Sequence, residues 1–364
     1  MRGRASGAYA PVMTRTMIAA VTLGNGGFEM IEIQQVPMPI PAAGEVRLKV
    51  LAAGMNNTEI NTRLGWYSAD VEASTDAVAS ATDGTVHRED GGWNEATPWP
   101  LIQGTDCCGI VDELGQGVDP ALLGKRVIVR ACMRPEGYDT MHNVWMASDF
   151  DGAFAEYVKV PASEVFPVEC DWTDAELGAI PCAYATAENM IQRAGIRSGD
   201  RVLVTGASGG TGTASVQLAA RRGAHVVAMA SKSKFDEVRA LGAHELVERD
   251  EVLEPESCDV VINNVAGRGF PAALEAVRRG GCLVTSGAIA GPIVDLDVRT
   301  LYLRDIRLIG CTAWDEPVFP DLVGYIERGE IRPRVAKTFP LVDIVAAQQD
   351  FLRKAHVGKF VLIP

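Results

Sequence analysis

The residues richest in chemical content lie in one short stretch, VLVTGASGGTG over Val202–Gly212, where an apolar run meets four glycines. Glycine at 206, 209, 210 and 212 lets a backbone turn tightly and approach a ligand closely, and the pattern after the turn is helical. Exposed amides at the start of that helix would hold a pyrophosphate, so Gly206, Ser208, Gly209, Gly210, Thr211 and Gly212 are the predicted dinucleotide contacts. A second group follows at the end of the next apolar run, Met229-Ala230-Ser231-Lys232-Ser233-Lys234. Folds that prefer NAD place a carboxylate there to bond the ribose hydroxyls, and this chain has none. The Ser231 hydroxyl with the cations of Lys232 and Lys234 would suit a 2′-phosphate, which predicts NADPH; the plainer alternative is a helix start with solvated lysines.

A glycine turn needs a βαβ unit around it. Arg201–Val204 reads as a short buried strand, Thr213–Arg222 as a helix and His225–Met229 as the second strand. From about Asp174 onward helix and strand alternate, which predicts a doubly wound parallel sheet. Its strands are Arg201–Val204, His225–Met229, Glu245–Glu248, Val260–Asn263, Gly281–Thr285 and Arg307–Gly310, and its helices Ala175–Ala194, Thr213–Arg222, Lys234–Leu241 and Pro271–Arg278. The earlier part of the chain is different. Met17–Ala53 alternates in short runs broken by Pro37, Pro39, Pro41 and Gly44, and Gly109–Val129 and Gly152–Val160 are also β-rich, the pattern of a small barrel. A helix at Ile344–Lys354 and a closing strand, Gly358–Ile363, return to that first unit.

With 364 residues the chain has room for two domains. Its formal charge of −13 disfavours nucleic acid and anionic lipid, and no apolar run reaches membrane-span length, so the expected partners are small molecules. Eight scattered cysteines without a CxxC pair predict reduced thiols and a cytoplasmic setting. Residues 1–16 read as a disordered extension. Residues 69–99 carry seven acids against one arginine and read as an acidic insertion, either a passive surface loop or a lid, with little apolar area to offer a core. Its expected influence is on substrate range more than on stability.

These segments in this order resemble the medium-chain dehydrogenase/reductases, and within them the zinc-free quinone oxidoreductase-like branch. The resemblance is carried by AAGMNNTEINTRLGWY, PLIQGTDCCGIVDELGQGV, GAFAEYVKVP, IPCAYATAENM, the glycine-rich run, LRDIRLIG and FPLVDIVAAQQDFLRKAHVGKFVLIP. It implies a GroES-like β-barrel catalytic domain (17–164 and 311–364) around a Rossmann domain (165–310). It further implies Asn57 and Thr186 near the nicotinamide, Ser286, Gly287 and Ala288 on its far side, and Tyr67 near the substrate. Tyr67 would donate a hydrogen bond or proton, although a packing tyrosine reads equally well. Cys182 faces the same pocket either as an apolar filler or as a reactive thiol. A homodimer joined through Arg307–Gly310 is also implied.

The departures from the family pattern bear on the chemistry. Asn56 stands where the zinc alcohol dehydrogenases carry a cysteine, and Thr105-Asp106 stands where they carry His-Glu. Catalytic zinc needs three protein ligands, and Cys182 with Asp106 gives two. None of the five histidines, His87, His142, His225, His244 and His356, falls in a ligand motif, and only Cys132 lies in the region of the structural zinc lobe. The expected activity is therefore zinc-free, NADPH-dependent hydride transfer to a quinone, an enone or another α,β-unsaturated carbonyl. The rivals are an alcohol or aldehyde dehydrogenase with a non-standard metal site, to which His87 or His142 would have to contribute, and a weakly catalytic NADPH-binding sensor or structural protein.

Overall fold

The computed structural model describes residues 15–82 and 90–364. The β-rich unit is built from both ends of the chain. Thr16–Thr22 and Ile31–Pro37 form an antiparallel hairpin, and Leu101–Ile102 adds to its other edge. The long strand Glu45–Gly54 is the hub of a seven-stranded sheet, pairing with Cys108–Leu114, Tyr157–Pro161 and the C-terminal Lys359–Ile363. Val46, Leu48, Val50 and Ala52 alternate inward along it and are buried, the period-2 pattern that a barrel interior needs. The valine and leucine side chains among them each contribute roughly 1.5–3 kcal/mol on burial.

The second unit is a six-stranded parallel sheet with strands in the order Glu245–Val247, His225–Met229, Arg201–Val204, Cys258–Asn263, Val277–Thr285 and Arg307–Gly310. This is the doubly wound order, whose ligand crevice opens at the carboxyl ends of the two strands where the winding reverses, here Arg201–Val204 and Cys258–Asn263. Val202, Leu203 and Val204 are wholly buried, as a strand covered by helices on both faces requires.

Several expectations need correction. The helix expected over 175–194 is two helices, Asp174–Gly178 and Pro181–Ala194, because Pro181 has no N–H to continue the first and instead opens the second. The boundary expected at 165 lies later, since Val165–Pro167 pairs with Arg126–Val129 inside the barrel sheet. Thr16, expected in the disordered extension, belongs to the first strand; residues 1–14 lie outside the described residues. The run expected as a helix to Arg278 ends at Glu275, and the following strand begins early, at Val277, with an irregular register beside Cys258–Val260.

The acidic insertion also differs from expectation. It contains the helix Thr75–Ala81, capped by the Ser74 hydroxyl, and Val71 and Thr75 are buried. Trp93 packs edge-on against Tyr67 at 4.7 Å between ring centroids and against Trp145 at 5.1 Å. Charge dominates the composition of the segment, yet its few apolar residues fall where the barrel can receive them.

Candidate active site

The crevice at the switch point has the features of a dinucleotide site. Gly212 must be glycine because a Cβ there would stand 2.1 Å from the carbonyl oxygen of Gly206, which itself adopts φ +61°. The helix Gly210–Arg221 starts inside the turn, so its first amides face the crevice. On the neighbouring strand end, Asn263 Oδ1 accepts from the Thr205 hydroxyl at 3.2 Å and from the amides of Val265 and Ala266, which fixes the loop. Asn264 Oδ1 is buried there with no hydrogen-bond partner among the described residues, as expected of a group that meets a ligand. Ser286 and Ala288 are half-buried, and Gly287 lies against the Asn264 carbonyl at what would be 3.3 Å from a Cβ. These residues fit a bound dinucleotide, which supplies hydride chemistry when present.

Directly beneath the crevice lies a closed polar cluster. Lys359 Nζ donates to Asp106 Oδ2 at 2.8 Å, Asn56 Oδ1 at 2.5 Å and the Met55 carbonyl at 2.7 Å. Three acceptors around one nitrogen require the three protons of an ammonium. Asp106, wholly buried, also accepts from the Cys182 amide at 2.5 Å and from Asn56 Nδ2 at 3.1 Å. The carboxylate reaches this position only because residue 54 is glycine; a Cβ there would lie 2.4 Å from Asp106 Oδ2. Asn56 caps the helix Asn57–Leu64 in a capping box with Glu59, whose carboxylate accepts from the Asn56 and Thr105 amides. Burial pushes the Glu59 carboxyl up, against the amide of Thr105 and the charge of Lys359, which pull it down.

The residues at the family's metal-ligand positions therefore do not fit a zinc ion. Asn56 offers an amide already bound on both sides, Asp106 is saturated, and an ammonium stands among them. Burial, with the Asp106 charge second, holds the Cys182 thiol well above its ordinary range, against the smaller opposing effects of Lys359 and Thr186. Of the two readings of Cys182, burial favours the apolar filler over the reactive thiol, since a buried, protonated sulfur is a poor nucleophile. His142 faces Glu136 in solvent, His225 and His244 stack on one another along the parallel sheet, and His87 lies outside the described residues.

A second basic cluster spans the junction of the two domains. Lys234, 7% exposed, donates to the Lys354 carbonyl at 2.5 Å and approaches the Ser208 hydroxyl at 3.4 Å. Lys354 holds a left-handed backbone at φ +52° and donates to Asn57 Oδ1 at 2.7 Å. No ion pair of 4 Å or less joins either ammonium to a carboxylate among the described residues. Burial, opposed by the Asp76 charge and reinforced by Lys234, pushes Lys354 down to about 8, while burial and the charges of Lys234 and Lys354 push His356 down to about 4. Lys232, predicted beside Lys234, instead extends into solvent toward Glu248 at 3.7 Å. Ser231 is half-buried at the turn before it.

On the barrel side of the crevice Tyr67 is half-buried, and burial, against the effect of Asn61 and Thr58 beside it, pushes its phenol up from the ordinary range. Tyr67 heads a row of rings, Trp93, Trp145 and Trp314, each edge-on or tilted to the next at 4.7–5.1 Å. A separate cleft of about 1030 Å³, beside Gln217, Arg221 and Arg332, has its arginines paired with Glu330 and Glu176.

Sequence reasoning missed Lys359, Lys354, Glu59 and Asn61. The Asn56-x-x-Glu59 spacing is a readable capping signal. Lys359 announces itself only as a charge opening the apolar run FVLI, and Lys354 carries no local signal.

Comparison with known proteins agrees with this architecture. A model of the alcohol dehydrogenase GroES-like domain matches residues 42–170, and one of the zinc-binding dehydrogenases matches residues 210–328. The crystal structure of a candidate alcohol dehydrogenase from Sinorhizobium meliloti 1021 superposes with a TM-score of 0.85 at 39% identity, covering 96% of this chain and 97% of that one. The acryloyl-coenzyme A reductase of Metallosphaera sedula is 27% identical over 361 residues, 95% of this chain and 99% of that protein. The quinone oxidoreductase of Mus musculus is 25% identical over 359 residues, 93% of this chain and 95% of that protein. Barrel, doubly wound sheet, glycine cradle and two-domain match together place the chain in the medium-chain dehydrogenase/reductase superfamily.

Proposed function

We propose that the protein is an NADPH-dependent reductase of quinones, enones or other α,β-unsaturated carbonyl compounds that works without a catalytic metal. The observation that carries this reading is the Lys359 ammonium bonded to Asp106 and Asn56, the residues that stand where the resemblance puts metal ligands. The similarity to an acryloyl-coenzyme A reductase and a quinone oxidoreductase supports the same class.

The chain's own residues supply the rest of the chemistry. The turn Gly206–Gly212 cradles the pyrophosphate, and Lys234, Lys354 and the Ser231 hydroxyl form the basic pocket for a 2′-phosphate. Asn57, Thr186 and Ser286–Ala288 flank the nicotinamide. Hydride addition to the β-carbon of an activated double bond leaves negative charge on the carbonyl oxygen, and a hydrogen-bond donor aimed at that oxygen lowers the barrier. Tyr67 is the donor in this reading, because a phenol kept neutral by burial retains its proton until the enolate needs it. Two copies pair through the edge strand Arg307–Gly310, supported by the exposed apolar side chains of Ile293, Val298, Tyr302, Leu303 and Leu308 around it. Light scattering giving the mass of one chain would contradict that pairing.

The test is a spectrophotometric screen of NADPH oxidation over quinones, enones and enoyl thioesters, with elemental analysis of the same preparation. Turnover of at least one class, unchanged by a strong chelator, is the expected result. Activity confined to alcohols, with about one zinc per chain and loss on its removal, would replace this reading with a metal-dependent dehydrogenase.

A further inference from the structure

Two adjacent asparagines at the start of the helix Asn57–Leu64 are each held by a lysine of the C-terminal segment. Lys359 Nζ donates to Asn56 Oδ1 at 2.5 Å, and Lys354 Nζ donates to Asn57 Oδ1 at 2.7 Å. An ammonium has no acceptor, so each amide must turn its oxygen to the lysine and its NH₂ group the other way. The outcomes differ. Asn56 Nδ2 uses its protons inside the protein, on Asp106 at 3.1 Å and Glu59 at 3.4 Å, whereas Asn57 Nδ2 on its half-buried side chain makes no hydrogen bond to any described residue. The Lys354 side chain is itself fixed. Its Nζ lies 4.4 Å from the centre of the Phe351 ring, and its backbone holds the left-handed φ of +52°, an angle that costs a side chain energy. Its carbonyl accepts from the Lys234 ammonium at 2.5 Å, and that ammonium lies 3.4 Å from the Ser208 hydroxyl on the glycine turn.

We propose that Lys354 is a positioning residue for the Asn57 amide, which it holds with the NH₂ group toward the nicotinamide side of the crevice. The proposal rests on the reading that Asn57 flanks the nicotinamide. A side-chain amide left free rotates and presents either oxygen or nitrogen; pinned at its oxygen it is a donor only, set for an acceptor on the nicotinamide riboside. Lys354 thereby has a task that needs no 2′-phosphate. It also joins the two ends of the dinucleotide site, through Asn57 at one and through Lys234 and Ser208 at the other.

NADH, which has no 2′-phosphate, separates this task from phosphate binding. Wild type, Lys354→Met, Lys354→Arg, Lys354→Gly and Asn57→Ala are compared at saturating NADH for the emission maximum and lifetime of the bound cofactor and for its oxidation by 1,4-benzoquinone, with NADH affinity and melting temperature for each. Lys354→Met is expected to lower kcat about 5- to 20-fold while NADH affinity stays within about threefold of wild type, the pattern of a ring that is bound but badly aligned. Emission maximum and lifetime should move in the direction that Asn57→Ala moves them. Lys354→Arg, which still donates to Asn57, should keep most of the rate and the wild-type emission. Lys354→Gly removes the same side chain at a backbone angle that glycine adopts freely, and covers the case in which the methionine variant does not fold. Lys354→Met combined with Asn57→Ala should be no slower than Asn57→Ala alone. A slow, spectrally shifted Asn57→Ala beside Lys354→Met and Lys354→Gly with wild-type rate and emission would overturn the positioning role and leave Asn57 at the nicotinamide. Wild-type rate and emission in Asn57→Ala would overturn the placement of Asn57 itself, and the positioning role with it. A wild type that binds NADH without oxidising it would count against the reductase reading alone, since the emission comparison still decides the role of Lys354.

Discussion

The two buried lysine clusters at the domain junction use the same charged group to opposite ends. Around Lys359 every acceptor and donor is matched, with Asp106, Asn56 and the Met55 carbonyl closing the shell at 2.5–2.8 Å. Around Lys234 and Lys354 the hydrogen-bond partners are neutral, a serine hydroxyl, a carbonyl and an asparagine amide, and burial first, then a neighbouring cation, Arg249 for Lys234 and Lys234 for Lys354, weakens each ammonium's hold on its proton. A matched buried ion pair organises the protein around itself. An unmatched pair of cations stores unfavourable energy that a dianionic phosphate relieves on binding. Placing both on the C-terminal segment, five residues apart in sequence, lets one short stretch pin the barrel to the glycine turn and also offer a charge to the ligand.

The sharpest way to break this comparison is Lys359→Met. It strands the Asp106 carboxylate in a fully buried position, and breaking one partner of such a pair costs roughly 3–5 kcal/mol. Denaturant unfolding should show that loss, and the double change Asp106→Asn with Lys359→Met should recover part of it. Equal stability of wild type and Lys359→Met would mean that the ion pair carries no structural weight.

The open cluster should behave otherwise. Lys234→Ala or Lys354→Met should leave stability unchanged or slightly improved, since each removes a partly desolvated cation with no carboxylate in direct contact among the described residues, only the more distant charges of Glu237 and Asp76. NADPH affinity should fall by about one to two orders of magnitude, the value of a charge-assisted bond of roughly 1.5–3 kcal/mol, with NADH affinity nearly constant. Titrations that weakened both cofactors alike would show that the lysines do not read the 2′-phosphate.

A smaller effect follows from protonation. Lys354 titrates near 8 in the folded protein against 10.5 for an ordinary lysine. Between those values the unfolded chain binds more protons, so this residue makes stability rise as pH increases through that window. NADPH binding has the opposite sign, because the phosphate needs the charged form: affinity should weaken by roughly three- to tenfold from pH 7 to pH 9. Lys354→Met should flatten both trends. The smallest effect is expected at Lys232, which is solvated beside Glu248; Lys232→Ala should change NADPH affinity by about twofold or less.

The cofactor half of this site was legible because its determinants are local. Gly206, Gly210 and Gly212, the strand Arg201–Val204 and the missing carboxylate after Met229 all lie within about thirty residues, and such spacing translates directly into a turn, a helix start and a strand end. Boundaries were less legible where one residue decides between two regular structures, as Pro181 does in splitting the expected helix.

The barrel half of the candidate site could not be read this way. Asp106 and Lys359 are 253 positions apart, and Thr75 meets Ile289 across the two domains, so no local pattern pairs them. The chain by itself determined the doubly wound sheet, the barrel and the dinucleotide turn, through glycine geometry and the periodicity of apolar residues. Only the tertiary structure decided that Lys359 is closed and Lys354 open, that Cys182 is buried, and that the acidic insertion packs Trp93 against Tyr67 and ties Thr75 to Asn61 and Ile289. The physical reason is that the effect of a charge or hydroxyl depends on which distant groups share its desolvated space, and packing sets that neighbourhood.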